Sequence, residues 1–138
     1  MPSYSASSLE KLSTCVLPIQ RLMLEVVKHR DNSILEGFRG EELQHKYFLE
    51  KKSKLDWPNG NHNKNPSQAV DSVPYPIDWT KVTKDDKWAI NAMCEYAGFV
   101  LGVAAMMEIP IRWGGDWDGD GDLSDQQFHD LPHYETIE

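Results

Sequence analysis

Apolar positions open the chain at intervals of three and four. Leu9, Leu12, Val16, Ile19, Leu22, Met23 and Val26 form one stripe, with Ser7 or Ser8 placed to cap it, and this predicts an amphipathic helix reaching about residue 28. Pro18 interrupts the stripe and is expected to kink or split that helix. Residues 33–38 read as a short strand and 40–49 as a second helix. The polar stretch 51–67 holds lysines, then Asp56-Trp57-Pro58-Asn59-Gly60, then Asn and Pro, and reads as loop. A strand follows at 69–73, closed by Pro74 and Pro76, and 78–84 reads as a connector. The longest predicted helix covers 85–107. Its second half is apolar all round, which predicts a central buried helix whose glycines and alanines let it approach the sheet. A strand at 111–113, an acidic glycine-bearing loop at 114–125 and a terminal strand at 134–137 complete the chain. Helices and strands mix without regular alternation, and neither a repeat nor a dividing linker is present. The expected class is therefore α+β, a single small domain over residues 1–138 with a central antiparallel sheet packed by helices.

Bulk properties narrow the function classes. A chain of 138 residues with 40% hydrophobic positions, five Trp and five Tyr suffices for one core. A net charge of −8 argues against a nucleic-acid partner and offers no attraction to anionic membranes or anionic wall polymers. Cys15 and Cys94 lie among apolar residues, away from zinc-pair spacing, and read as buried free thiols of a reducing compartment. Residues 1–5 have neither the basic nor the apolar region of a signal peptide. The apolar run at 96–107 is too short to cross a bilayer, so no membrane insertion is expected.

The candidate chemistry lies in two short segments, Asn61 to Asp71 and Asp130 to Glu135. His62 falls in a loop. Asp71 falls in a strand, on the face shared by Ala69 and Val73, where a carboxylate needs a partner and a metal ion is one candidate. His133 and Glu135 stand two apart at the start of the last strand and share a face, so Glu135 is placed to orient a ligand or a substrate. Two imidazoles and one carboxylate suit Zn²⁺ and leave a fourth position for water. Read singly, the same residues are also a solvated loop histidine and a strand aspartate in an ion pair.

A third segment is acidic. Asp116, Asp118, Asp120 and Asp122 alternate with other residues and Gly121 takes the sixth position, like the first half of an EF-hand calcium loop. The glutamate expected at the twelfth position is missing, since Gln127 stands there. A solvated acidic turn satisfies the same pattern, so a Ca²⁺ site and a plain turn both stay open.

From Ile34 to Glu135 the chain resembles the M15 zinc metallopeptidases, the D-Ala-D-Ala carboxypeptidase/VanY-like group, and within it the small phage endolysins that cut the L-alanyl-D-glutamate bond of peptidoglycan. The resemblance rests on Glu36-Gly37-Phe38-Arg39 with Gln44, Ser53-Lys54-Leu55, and His62-Asn63 leading to Pro66-Ser67-Gln68-Ala69-Val70-Asp71. It continues through Val73-Pro74-Tyr75-Pro76-Ile77-Asp78-Trp79, Trp113-Gly114-Gly115-Asp116-Trp117 and Phe128-His129-Asp130-Leu131-Pro132-His133-Tyr134-Glu135. It implies zinc ligands at His62, Asp71 and His133, a general base at Asp130 and a substrate-polarising arginine at Arg39. Gln44, Ser53 and Glu135 are implied substrate contacts. Two departures touch the substrate loop: Gly60 stands where the family commonly has Ser, and Lys51-Lys52 precede Ser53 where a glycine is common. The implied protein is a monomeric lysis enzyme without a separate wall-binding domain, made in the host cytoplasm and acting on peptidoglycan after release. A D-Ala-D-Ala carboxypeptidase is the alternative hydrolase. A non-catalytic, metal-dependent module that binds wall peptides is the alternative of another class, and it would not need Asp130.

Overall fold

The structure, a computed structural model, describes residues 1–77, 87–125 and 129–137. Four strands form one antiparallel sheet in the order β1-β2-β4-β3: β1 is Asn32–Glu36, β2 Ala69–Pro74, β3 Ile111–Gly114 and β4 Asp130–Thr136. The helices among the described residues are α1 (Ala6–Leu12), α2 (Leu17–His29), α3 (Glu41–Leu49) and α4 (Lys87–Met106), with a 3₁₀ turn at Asn61–Asn63. The α+β class read from the sequence holds.

The predicted first helix is two helices. Pro18 occupies the first turn of α2, where its missing N–H and fixed φ cost nothing. The break frees backbone at 14–16 to pair with Ser67: Ser67 N donates to Thr14 O at 2.8 Å, and Val16 N to Ser67 O at 2.9 Å. The cap of α1 is Ser5, whose Oγ accepts from Ser8 N at 3.2 Å. Ser8 is buried instead, and its Oγ accepts from Ile34 N at the sheet edge.

The sheet has two unlike faces. Ile34, Val70 and Tyr134 point into a core completed by Ile19, Leu22, Met23 and Val26 of α2 and by Tyr96, Ala97 and Val100 of α4. Strand alternation turns Asp71, His133, Glu135 and Arg112 to the opposite face, which is open. Ser72, on the core face, bonds Asn32 and Tyr96, which satisfies those buried polar groups, while the Tyr134 hydroxyl is buried without a hydrogen-bond partner among the described residues.

Three expectations are corrected. The terminal strand begins at Asp130, not at residue 134. Pro132 disguises it, and it falls where the β3–β4 register shifts between Trp113 and Gly114, a position without a regular ladder bond to lose. The long helix is not central: Ala89, Met93, Tyr96, Ala97, Val100 and Ala104 face the protein, while Gly98, Gly102 and Met106 face outward. A Cβ at either glycine would meet nothing within 4 Å, so close packing on the sheet is not their role. The apolar run is also longer than twelve residues. Ala89–Met106 is long and apolar enough to cross a membrane by length and composition, though a third of it is buried within this fold. The expected connector at 78–84 and the helix start at 85–86 lie outside the described residues, as do Asp78, Trp79 and Phe128.

Candidate active site and metal centre

Two backbone facts bring the predicted ligands together. In the β2–β4 ladder Asp71 pairs directly with His133, so their side chains rise side by side from the open face. His62 arrives from the 3₁₀ turn, which is tied to the end of β1 by Arg39 N donating to His62 O at 2.8 Å.

The partners of each imidazole fix its tautomer. His62 Nδ1 lies 2.7 Å from Gly37 O, and a carbonyl only accepts, so Nδ1 carries the proton and Nε2 keeps its lone pair. His133 Nε2 lies 2.7 Å from Glu135 Oε1, so in the neutral ring Nδ1 keeps the lone pair. Those two lone-pair nitrogens face each other at 3.2 Å, and Asp71 Oδ1 lies 3.2 Å from one and 3.4 Å from the other. Three electron-rich atoms so close repel one another unless a positive charge sits among them. A tetrahedral ion with bonds of roughly 2.0–2.1 Å, as in zinc sites, holds its ligand atoms about 3.3–3.4 Å apart. The three separations fit that requirement, and His62, Asp71 and His133 are buried or nearly so.

Without an ion, protons answer the same demand. Burial opposes charge on His133, but Asp71 and Glu135 outweigh it and lift the imidazole to about 9. Burial likewise works against the Asp71 carboxylate, yet the two imidazoles hold it far below the usual range.

Asp130, at the head of β4, places Oδ2 3.8 Å from His133 Nδ1, too far for a hydrogen bond. Burial first, and the Asp71 carboxylate second, push its carboxyl up to about 6. It stands beside the three-atom cluster without belonging to it, the place a proton acceptor would need.

Arg39 is buried and held in a fork. Nε and Nη2 donate to Glu36 at 3.0 and 2.7 Å, Nη1 donates to Gln44 Oε1 at 3.0 Å, and the guanidinium lies over the Tyr47 ring. Its remaining neighbour is Asp71 Oδ2 at 3.7 Å. Gln44 is fully buried: its oxygen accepts from Arg39 and Asn63, and its nitrogen donates to Ser53 Oγ and Leu55 O. Both Gln44 and Ser53 line the cleft, and their bonds knit Arg39 to the 51–67 loop. Gly60, where the family commonly has Ser, donates its N–H to Asn63 Oδ1 at 2.9 Å, and a Cβ there would meet that same oxygen at 2.9 Å.

Glu135 is buried and accepts from three groups: His133 Nε2, Asn61 Nδ2 at 2.9 Å and Arg112 Nη2 at 2.6 Å. Burial resists its charge, but His133 and Arg112 hold its carboxyl down at about 2. These residues line a cleft of about 1020 Å³, with Trp117 tilted against His133 at 5.4 Å between ring centroids. Asn61, Arg112 and Trp117 were not singled out as functional in the sequence. The lone cation between Ile111 and Trp113 was the available signal for Arg112.

In the acidic loop Asp116, Asp118 and Asp120 each bring a carboxylate oxygen within 4.8 Å of the others. Asp122 is turned away to accept from Ser124 N and Oγ. Asp116 Oδ2 accepts from Gly121 N, while its Oδ1 is buried without a hydrogen-bond partner. The remaining histidines take ordinary roles, His29 beside Glu25, His45 beside Asp56 and His129 beside Leu123 O.

Known proteins share this chain's sequence pattern and its fold. The family described as phage L-alanyl-D-glutamate peptidase matches residues 2–137. Among solved structures, an L-Ala D-Glu endopeptidase of Serratia marcescens, ChiX, superposes with a TM-score of 0.70 at 20% identity, covering 97% of this chain and 89% of its own. No curated protein matches.

Proposed function

The chain belongs to the phage L-alanyl-D-glutamate peptidase family, and we propose that it hydrolyses the L-Ala–D-Glu bond of peptidoglycan stem peptides as a zinc enzyme, with His62, Asp71 and His133 as the metal ligands. The observation that carries this is the convergence of two imidazole lone pairs and one carboxylate oxygen at 3.2, 3.2 and 3.4 Å.

A bound zinc ion supplies Lewis-acid polarisation and acidifies water, to a pKa of roughly 7 in known sites. The chain's own groups do the rest. Asp130 accepts the proton of the attacking water and returns it to the leaving amine. Arg39, held by Glu36 and Gln44, sets a fixed positive charge on the cleft wall, where it favours negative charge developing on the carbonyl oxygen. Glu135 fixes the His133 tautomer, so that Nδ1 is the atom offered to the ion. Gln44 and Ser53 hold the loop that forms the other wall. The protein works as a monomeric catalytic unit, released from the host cytoplasm to the wall.

The buried, unpartnered Oδ1 of Asp116 favours a second ion. We propose that Ca²⁺ binds at Asp116, Asp118 and Asp120, weakly because the twelfth-position glutamate is absent, and steadies the segment leading to Asp130.

Digestion of purified peptidoglycan, with and without a chelator, tests this reading. New amino-terminal D-Glu and carboxy-terminal L-Ala, lost on chelation and restored by zinc, is the expected result. Release of free D-Ala would replace it with the carboxypeptidase alternative, and binding without new termini would leave only the wall-binding module.

A further inference from the structure

Arg112 is a cleft arginine whose chemistry the proposed mechanism leaves unused. It pairs with Glu135 in the β3–β4 ladder and shares the open face with His133. The Glu135 carboxylate bridges the Arg112 guanidinium to His133, so the fork stands one carboxylate away from a proposed metal ligand. A guanidinium has five N–H donors in a rigid fork. Among the described residues Arg112 makes one hydrogen bond, Nη2 to Glu135 Oε2 at 2.6 Å, and its Nε is buried without a partner. Its side chain is still about two-fifths exposed, at 38%, and lies beside the Trp117 ring. The other cleft arginine differs: the Arg39 fork is consumed by Glu36 and Gln44, and the side chain is only 9% exposed.

The substrate supplies a matching group. A glutamate within a peptide chain uses one carboxyl for the next bond and keeps the other free, whichever is used. A peptide cut at L-Ala–D-Glu therefore carries a free carboxylate on the residue immediately beyond the scissile bond. Glu36, Asp118, Asp125 and Asp130 line the cleft in a chain of net charge −8, and besides the two arginines its cations are Lys52 and Lys54 of the 51–67 loop, of which Lys52 pairs with Glu50. Recognition of that anion requires a local cation with unused donors, and a planar fork suits a carboxylate better than a lysine ammonium.

We infer that Arg112 is the specificity residue that receives the free carboxylate of the substrate's D-glutamyl residue. This rests on the peptidase reading above and names the substrate feature that its cleft selects. Glu135 acts on both sides of the arrangement, holding the Arg112 fork on one oxygen and the His133 ring on the other. Substrate charge is thereby read next to the metal ligand it must be aligned with.

The test compares two synthetic stem peptides. One keeps the free glutamyl carboxylate and the other carries it as a primary amide of nearly the same shape. Charged hydrogen bonds of this kind are worth roughly 10- to 100-fold. The wild-type zinc-loaded protein should cleave the acid peptide about that much better in kcat/KM, mainly through KM. Arg112→Gln should lose that preference by slowing on the acid peptide alone, with zinc content and melting temperature unchanged, and Arg112→Lys should recover part of it. Equal cleavage of both peptides by wild type overturns the inference whether or not any variant folds. Equal losses on both peptides in Arg112→Gln also overturn it, since they mark a purely structural role through Glu135. No cleavage of either peptide by wild type would overturn the peptidase reading itself, and this inference with it.

Discussion

Asp130 and His133 stand 3.8 Å apart and both shift upward, the carboxyl to about 6 and the imidazole to about 9, so the first is held towards its neutral form and the second towards its charged form. Each shift has a consequence that can be measured. A base works only when deprotonated, so kcat/KM should fall as pH drops through about 6, and a divalent cation beside Asp130 moves that midpoint lower. In Asp130→Asn the acid limb should disappear along with a 10²–10⁴-fold loss of turnover, the usual worth of a general base. An unchanged acid limb in that variant would assign it to another group. For His133 the sign runs the other way. At neutral pH the metal-free imidazole is protonated, and the proton on Nδ1 must leave before that atom can ligate. Metal affinity should therefore rise with pH up to about 9. Calorimetry at pH 7 in buffers of different ionisation heat should report about one proton released per ion bound. A heat independent of buffer would contradict the shift. His62 and Asp71 were legible as ligand candidates because a carboxylate on an apolar strand face needs a partner. Arg112 was not legible, because its significance depends on donors left unused in three dimensions.

At the scale of the elements, the site is a product of antiparallel register. β2 and β4 are distant in sequence, and only their pairing sets Asp71 beside His133. Alternation along a strand was readable in advance, but which strands neighbour each other was not, since that is decided by packing on α2 and α4. The Pro18 split, the early start of β4 and the outward face of α4 have a common cause. A local pattern reports preference, and tertiary contact decides whether a proline ends an element or merely marks its edge. Gly114 shows how tightly β3 and β4 are fitted. A Cβ there would meet Asp130 O at 2.1 Å, against backbone that cannot swing aside. Gly114→Ala should therefore displace Asp130, lowering stability by about 1–3 kcal/mol and turnover by at least tenfold while zinc stays bound. Calorimetry and metal analysis check both halves. Wild-type stability and rate in that variant would show that the strand relaxes freely.

For the whole molecule, the acidic balance and the open face belong together. A chain of net charge −8 concentrates carboxylates around its cleft, which favours cations there and makes any anionic substrate depend on a few placed arginines and lysines. Millimolar Ca²⁺ should raise the melting temperature by mass action, and Asp118→Ala/Asp120→Ala should abolish the rise, while Mg²⁺ acts poorly because it demands octahedral geometry. Equal shifts in wild type and the double variant would place calcium elsewhere. The α+β class followed from the sequence because strand and helix signals were mixed and short. The open face did not, because it exists only once α2 and α4 have covered the other side. The most direct test is the zinc content of wild type, His133→Ala and Asp130→Asn, measured together with turnover on peptidoglycan. About one zinc per chain in wild type and Asp130→Asn, little in His133→Ala, and turnover in wild type alone is the expected result. Full zinc occupancy in His133→Ala would contradict the assignment of the metal centre.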